Sequence, residues 1–337
     1  MSYILIIKSV KPLFLIAILF MSTSCTNTYV GRYIVWNFSG YEGYKKFPKQ
    51  TVENGMDKFL FKKGPEIALS TLRVKGSQLP FHSNVEELLK QNKTTSLVII
   101  KDKTIIFEKY YRNMTRDSIQ PAFSVTKSVL SLLIGIAIDE KKINSVDDLI
   151  VDYLPELKKN NIAPVTIKHL LTMSSGLKHS NSLGFLPWST DVRVGYSTNI
   201  QKLVLKLKSK KKPGNVFLYH NQVPVLLAMI LKRATGKSIS QYTEEKLWKA
   251  MGMEYPAFWI LDSKKSKFEK TDGGFNARSI DYAKLGQLVL NEGLWNGKQI
   301  ISKSWIKQST SPDLAQHHLM NLYKVKGFYY KYLWWGI

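Results

Sequence analysis

A chain of 337 residues is long enough for roughly two domains, or for one large domain carrying an insertion. Its 44% hydrophobic and 22% charged residues exclude a wholly disordered or collagen-like polymer. The 49 Lys and Arg against 25 Asp and Glu leave a charge of +24, which raises nucleic acid and anionic membrane surfaces as partners. A single cysteine excludes an intrachain disulfide and a cysteine-based zinc centre. The six histidines contain no His-Glu-x-x-His pattern, so neither a metal nor a cofactor is expected.

In chain order, residues 1–21 carry Lys8, Lys11, no acid and an apolar run from Leu13 to Met21. That is a basic leader followed by an apolar stretch too short for a confident membrane span. Ser22, Thr23 and Ser24 follow, then Cys25. The arrangement resembles a bacterial lipoprotein signal, with Ser22 where such signals prefer Leu. It implies removal of residues 1–24, lipidation of Cys25, and a mature protein held at a membrane of the bacterial cell envelope, on its periplasmic or outer-membrane side. An ordinary export signal with a chance cysteine and an uncleaved anchor are the alternatives. Export argues against nucleic acid. The tight basic run Lys206, Lys208, Lys210, Lys211 and Lys212 has no interleaved aromatics of the kind a single-strand groove needs, and reads as a solvated surface.

Residues 25–82 are rich in aromatics and lysine without a clear period, and are expected to form an irregular lead segment packed on a main domain at 83–337. Ser83-Asn84-Val85-Glu86 predicts a capped short helix to about Asn92. Ser96–Arg112 has two β-rich runs around Lys101-Asp102-Lys103 and predicts a hairpin. Phe123–Asp139 predicts a helix with no polar stripe, buried all round. Ser145-Val146-Asp147-Asp148 predicts another helix start. Thr166 opens HLLTMSSGL, expected to run as a helix until Gly176. Phe217–Asn221 leads into an apolar helix ending near Lys232. Gly273-Gly274-Phe275 reads as a loop, Ser279–Leu290 as a helix, Asn296-Gly297 as a turn, and Ser302–Gln308 as a further helix. Tyr329–Ile337 reads as a terminal strand.

Ser124 and Lys127 stand three residues apart, on one face of the predicted buried helix. A hydroxyl is a weak nucleophile until a base takes its proton. An amine embedded in apolar sequence can be that base, since desolvation favours its neutral form. Ser124 in the first turn would also meet the positive end of the helix dipole. The pattern alone is weak, because Ser175–Lys178, Ser209–Lys212 and Ser304–Lys307 share it. Gly176 interrupts the first of these, the second lies in the solvated lysine run, and the third lies in a polar helix. A snorkelling Lys127 is the bland alternative.

The surrounding sequence narrows the choice. FSVTKSVLSLLIGIAIDEKKINSVDDLIVDYLPEL, then VTIKHLLTMSSGL, then Tyr219-His220-Asn221, then GGFNARSIDYAKLGQLVLNEGLWNGKQIIS together resemble the serine β-lactamase and penicillin-binding-protein superfamily. The nearest branch resembles class C β-lactamase-like hydrolases, among them the 6-aminohexanoate-dimer hydrolases. The resemblance implies an α+β, β-lactamase/transpeptidase-like fold: an antiparallel sheet flanked by helices, with an inserted all-helical region. It implies a serine hydrolase that cleaves a small or peptide-like amide or ester through an acyl-enzyme on Ser124. Lys127 and Tyr219 would move protons, and Asn221 and Asn276 would contact substrate. Asn221 could instead hold the lysine, and Asn276 could instead cap its loop. His220 is expected to be a solvent-facing spacer.

The family's third motif, Lys or His, a small residue, then Gly, has no acceptable match. Lys284-Leu285-Gly286 falls inside a predicted helix and is rejected. The final sheet strands are therefore expected to be absent, leaving one face of the Ser124 helix bare. A catalytically impaired or non-catalytic envelope-binding remnant is the alternative reading.

Overall fold

Two helices without a polar stripe form the centre of the molecule. The computed structural model describes residues 26–36, 40–69, 85–180, 186–312 and 328–336. Within them, Val125–Asp139 buries every residue from Val129 to Ala137. Val223–Thr235 buries every residue from Val223 to Leu231. Helices that are apolar on all sides can only sit inside a protein. These two pack on each other, and the second also meets Ile150–Tyr153, Ile167–Leu171, Ile200–Val204 and Ile239–Thr243. That set is the helical region that the sequence resemblance implies. Gly135 lets the Trp305 indole lie against the first helix; an added Cβ there would come within 2.4 Å of the ring.

A four-stranded antiparallel sheet runs beside this bundle. Lys49–Val52 pairs with Ala257–Ile260, which pairs with Phe275–Ala277, which pairs with Gln120–Pro121. The expected hairpin forms as Ser96–Lys101 against Thr104–Tyr110, turned by Asp102 and Lys103 at positive φ. Lys62–Lys63 adds to it in parallel, so the antiparallel expectation fails for that one pair. The hairpin packs on helix Ser279–Leu290. Asn296-Gly297 joins two short strands, as the turn signal predicts.

Several expectations need correction. The lead segment is ordered where described: Tyr29–Trp36 is a helix and Lys49–Val52 belongs to the main sheet. Ser145 organises a turn, accepting from the Asp147 N–H at 3.1 Å, and the helix starts later, at Ile150. The Thr166-capped helix stops at Leu171, before Gly176. The C-terminal run is a hairpin rather than one strand: Tyr329–Lys331 pairs with Trp334–Gly336 around Tyr332 and Leu333, both at positive φ. Nor is the Ser124 helix left bare, because Val223–Thr235, Trp305 and this hairpin cover it, with the Ser128 hydroxyl donating to Leu333 O at 3.0 Å. Ser83 and Asn84 of the expected cap, and Cys25, lie outside the described residues.

Rejecting Lys284 as a site residue agrees with its position in a helix, fully buried beneath the sheet. Its ammonium lies 3.4 Å from Asp281 and 3.5 Å from Glu254, and donates to Gly252 O at 3.1 Å. Glu254 also pairs with Arg116, which meets Glu108. Asp281 accepts the N–H groups of Glu254 and Tyr255 at 2.7 and 3.1 Å. A buried charge whose partner is removed costs about 3–5 kcal/mol. Lys284→Met should therefore lower the unfolding free energy by about 3 kcal/mol in urea denaturation. An unchanged midpoint would show that the cluster adds nothing to folding.

Candidate active site

Ser124 sits at the N-cap of the buried helix, where a short strand, Gln120–Pro121, turns into it. Phe123 makes the turn at φ +44, a conformation that a bulky residue adopts at a cost. The turn is held from the facing strand: the Ala122 N–H donates to Phe275 O at 2.9 Å, and the Phe275 N–H donates to Thr126 Oγ1 at 3.1 Å. Ser124 itself is exposed, while Lys127, one helical turn on, is 1% exposed.

The Lys127 amino group meets three partners. Its Nζ donates to Ser124 Oγ at 3.1 Å and to the Asp272 carbonyl at 2.5 Å, and lies 4.9 Å from the centre of the Tyr219 ring. The Asp272 carbonyl is delivered by the loop before Phe275. Gly274 permits its tight turn, since an added Cβ would come within 2.5 Å of Lys270 O. Tyr219 is held by the C-terminal hairpin, stacked on Trp335 at 5.6 Å and edge-on to Tyr330 at 5.8 Å. Burial pushes the Tyr330 hydroxyl well above the ordinary phenol range. The contact of Tyr219 with Lys127 is thus through its ring face; among the described residues no hydrogen bond joins its hydroxyl to Ser124 or Lys127.

Ser124, Asn221 and Asn276 line one cavity of about 300 Å³, together with Asp191, Lys270 and Asp272. Asn221 donates to Asp191 Oδ1 at 2.7 Å. Asn276 lies in strand Phe275–Ala277, 1% exposed; its Nδ2 donates to Gly274 O at 2.9 Å, and its Oδ1 is buried without a partner. Lys270 donates to Val194 O at 2.8 Å and lies 3.6 Å from Asp272. Sequence reasoning missed Asp191, Lys270 and Asp272. The GGF loop marked the last of these only as a neighbour, because its contribution is a backbone carbonyl that no residue type announces.

His220 corrects the solvent-facing expectation: it is 2% exposed. Its Nε2 lies 3.0 Å from Gln222 Oε1, an acceptor, so Nε2 carries the proton and Nδ1 is left bare and unpartnered. Burial, with the His179 ring 4.6 Å away, pushes the imidazole down to about 3. Unfolded, it would titrate near 6.5. Between those values the unfolded chain holds a proton that the folded chain lacks. Stability should therefore fall as pH drops from about 6.5 toward 3, by up to about 1.4 kcal/mol per pH unit from this residue. His220→Gln should flatten that decline in urea unfolding followed from neutral to mildly acidic pH. A decline parallel to that of the parent would assign it to other groups.

Among the described residues no three His, Cys, Asp or Glu side chains cluster to hold a metal, and no helix is long and apolar enough to cross a membrane. Ser124 and Asn221 thus line one cavity, with Lys127 and Tyr219 in contact behind Ser124, and the decisive comparison is with protein families: the model described as Beta-lactamase matches residues 81–320. The chain belongs to the Beta-lactamase family. It is 22% identical over 238 residues to the 6-aminohexanoate-dimer hydrolase of Paenarthrobacter ureafaciens, covering 66% of this chain and 59% of that protein. It is 27% identical over 191 residues to the teichoic acid D-alanine hydrolase of Staphylococcus aureus, covering 56% and 45%. A solved Bacillus anthracis structure bearing the name of a 6-aminohexanoate-dimer hydrolase superposes with TM-score 0.77 at 22% identity, over 92% of this chain and 82% of that one. That likeness shows the β-lactamase/transpeptidase-like fold. The matches to the first two curated relatives span 59% and 64% of those proteins' lengths.

Proposed function

We propose that this member of the Beta-lactamase family is a serine hydrolase of amides or esters, with Ser124 as nucleophile. The observation that carries the reading is the buried Lys127 Nζ, 3.1 Å from an exposed Ser124 Oγ at the wall of the cavity. Neutral Lys127 takes the hydroxyl proton as Oγ attacks the carbonyl carbon. The ammonium so formed is received by the Asp272 carbonyl and the Tyr219 ring face, a cation–π contact. The tetrahedral intermediate collapses, the C–N or C–O bond breaks, and the leaving group takes the proton from Lys127, with Tyr219 as relay. Water then attacks the acyl-enzyme, releasing the acid and restoring Ser124. The dipole of a helix of 15 residues favours negative charge at Ser124. Asn276 Oδ1, lacking a partner, is available to a substrate N–H, and Asn221 fixes the opposite wall through Asp191. The names of the two relatives, a 6-aminohexanoate-dimer hydrolase and a teichoic acid D-alanine hydrolase, fit this chemistry.

A fluorophosphonate probe should label the parent protein, and Ser124→Ala and Lys127→Ala should both abolish labelling. Tyr219→Phe should retain labelling but lower ester turnover by about 10²–10⁴-fold. Labelling that survives in Ser124→Ala would remove the serine from this role. A parent that no acylating probe labels would favour the non-catalytic reading.

We propose further that residues 1–24 are an export signal and that Cys25 is lipidated, placing the protein at the cell envelope with no nucleic-acid partner. The support is the basic then apolar leader ending in Ser22-Thr23-Ser24-Cys25. Cells fed a fatty-acid analogue should label the parent chain, and Cys25→Ala should lose the label. Equal labelling of both would overturn the anchor.

A further inference from the structure

The cavity beside Ser124 has a wall that the family match does not include. The match begins at residue 81, yet Tyr41, Tyr44 and Phe47 line the cavity from the lead segment. They face Phe123 and Tyr196, so five aromatic side chains surround a space that opens onto the nucleophile. Phe123 is 54% exposed and Tyr41 36% exposed, large apolar surface that a folded chain ordinarily covers. The rings are braced from behind. The Lys49 ammonium lies 5.0 Å from the Tyr44 ring, which meets Phe258 at 5.6 Å, and the Arg112 guanidinium lies 5.6 Å from the Tyr41 ring. The strand that follows, Lys49–Val52, fixes the segment to the main sheet.

The one lysine of this cavity and the Asp191 carboxylate each have a partner within it. Lys270 has Asp272 and Val194 O, and Asp191 has Asn221. Apart from the Asn276 and Asp272 Oδ1 atoms, which accept no hydrogen bond, the surface left beside Ser124 is mainly apolar and aromatic. We infer that Tyr41 and Tyr44 are specificity-determining residues that seat an apolar chain borne on one side of the scissile bond. The preferred substrates are then amides or esters bearing an uncharged aliphatic or aromatic chain. This rests on the acyl-transfer reading for its kinetics but not for its binding.

Two ester series separate the sides of the bond: p-nitrophenyl alkanoates lengthen the acyl side, and alkyl acetates the leaving side. In the parent, kcat/KM should rise with chain length in one series, roughly two- to fourfold per methylene seated. Tyr41→Ala and Tyr41→Ala/Tyr44→Ala should lower kcat/KM by at least tenfold for the hexyl member and by less than threefold for the shortest, chiefly through KM. Tyr41→Phe/Tyr44→Phe should restore the slope, since the ring is what matters. Binding is tested apart from chemistry in Ser124→Ala, by calorimetric titration with octanamide and N-octylacetamide. One of them should bind, and the tyrosine-to-alanine changes should weaken it at least tenfold. An equal loss at every chain length, or a slope and affinity untouched by the alanine changes, would overturn the inference. Absence of probe labelling with chain binding intact would overturn the acyl-transfer reading alone.

Discussion

A buried ammonium has to be satisfied, and Lys127 sets the terms for everything around it. It lies on a helix with no acidic residue before Asp139, and of that helix only Ser124 meets its Nζ. The answer comes from two distant parts of the chain, the Asp272 carbonyl and the Tyr219 ring. Delivering the first requires the Lys270–Phe275 loop to fold tightly, and hence a glycine at 274. Holding the second requires the aromatic face of the C-terminal hairpin. Without these contacts the lysine would be an uncompensated charge in the core, at a cost of several kcal/mol. The same contacts hold the Lys127 Nζ within reach of Ser124 Oγ.

Local pattern was legible and non-local satisfaction was not. The Ser96–Arg112 hairpin, the buried helix after Ser124, the Asn296-Gly297 turn and helix Ser279–Leu290 follow from period, propensity and turn chemistry, which neighbouring residues determine. Ser124 and Lys127 could be paired from their spacing on an apolar helix, whereas Tyr219, Asn221 and Asn276 became candidates only through the family resemblance. His220 was misread because alternation within a three-residue motif says nothing about what packs on it; His179, 41 positions earlier in the chain, closes that side. The order of the lead segment was hidden for the same reason. Lys49–Val52 becomes a strand only by pairing with Ala257–Ile260, about two hundred residues away.

The strong positive charge is distributed unevenly with respect to structure. Lys127, Lys270 and Lys284 are buried, and each is held by carbonyls or carboxylates brought in from elsewhere. The run from Lys206 to Lys212 is different: all five of its lysines are exposed, and its backbone is clamped by Asn160 donating to Leu205 O and Leu207 O and by the Lys210 and Lys211 N–H groups donating to Gly176 O. Gly176 takes φ +66 there, and an added Cβ would come within 2.3 Å of Lys211 O. One composition thus contains two kinds of lysine, and only packing separates them.

Arg32 fastens the beginning of the described chain to the body. Its side chain is buried and donates to Ser197 O at 3.3 Å, Asp262 O at 2.5 Å and Thr26 O at 2.9 Å. Seven peptide units separate it from residue 25, a reach of about 25 Å even if fully stretched. A body stitched down so early is on a short leash. Anything joined to residue 25 would hold it at close quarters and in a restricted range of attitudes, so the surface that the cavity can sweep would be set by that seam rather than by a long flexible stalk.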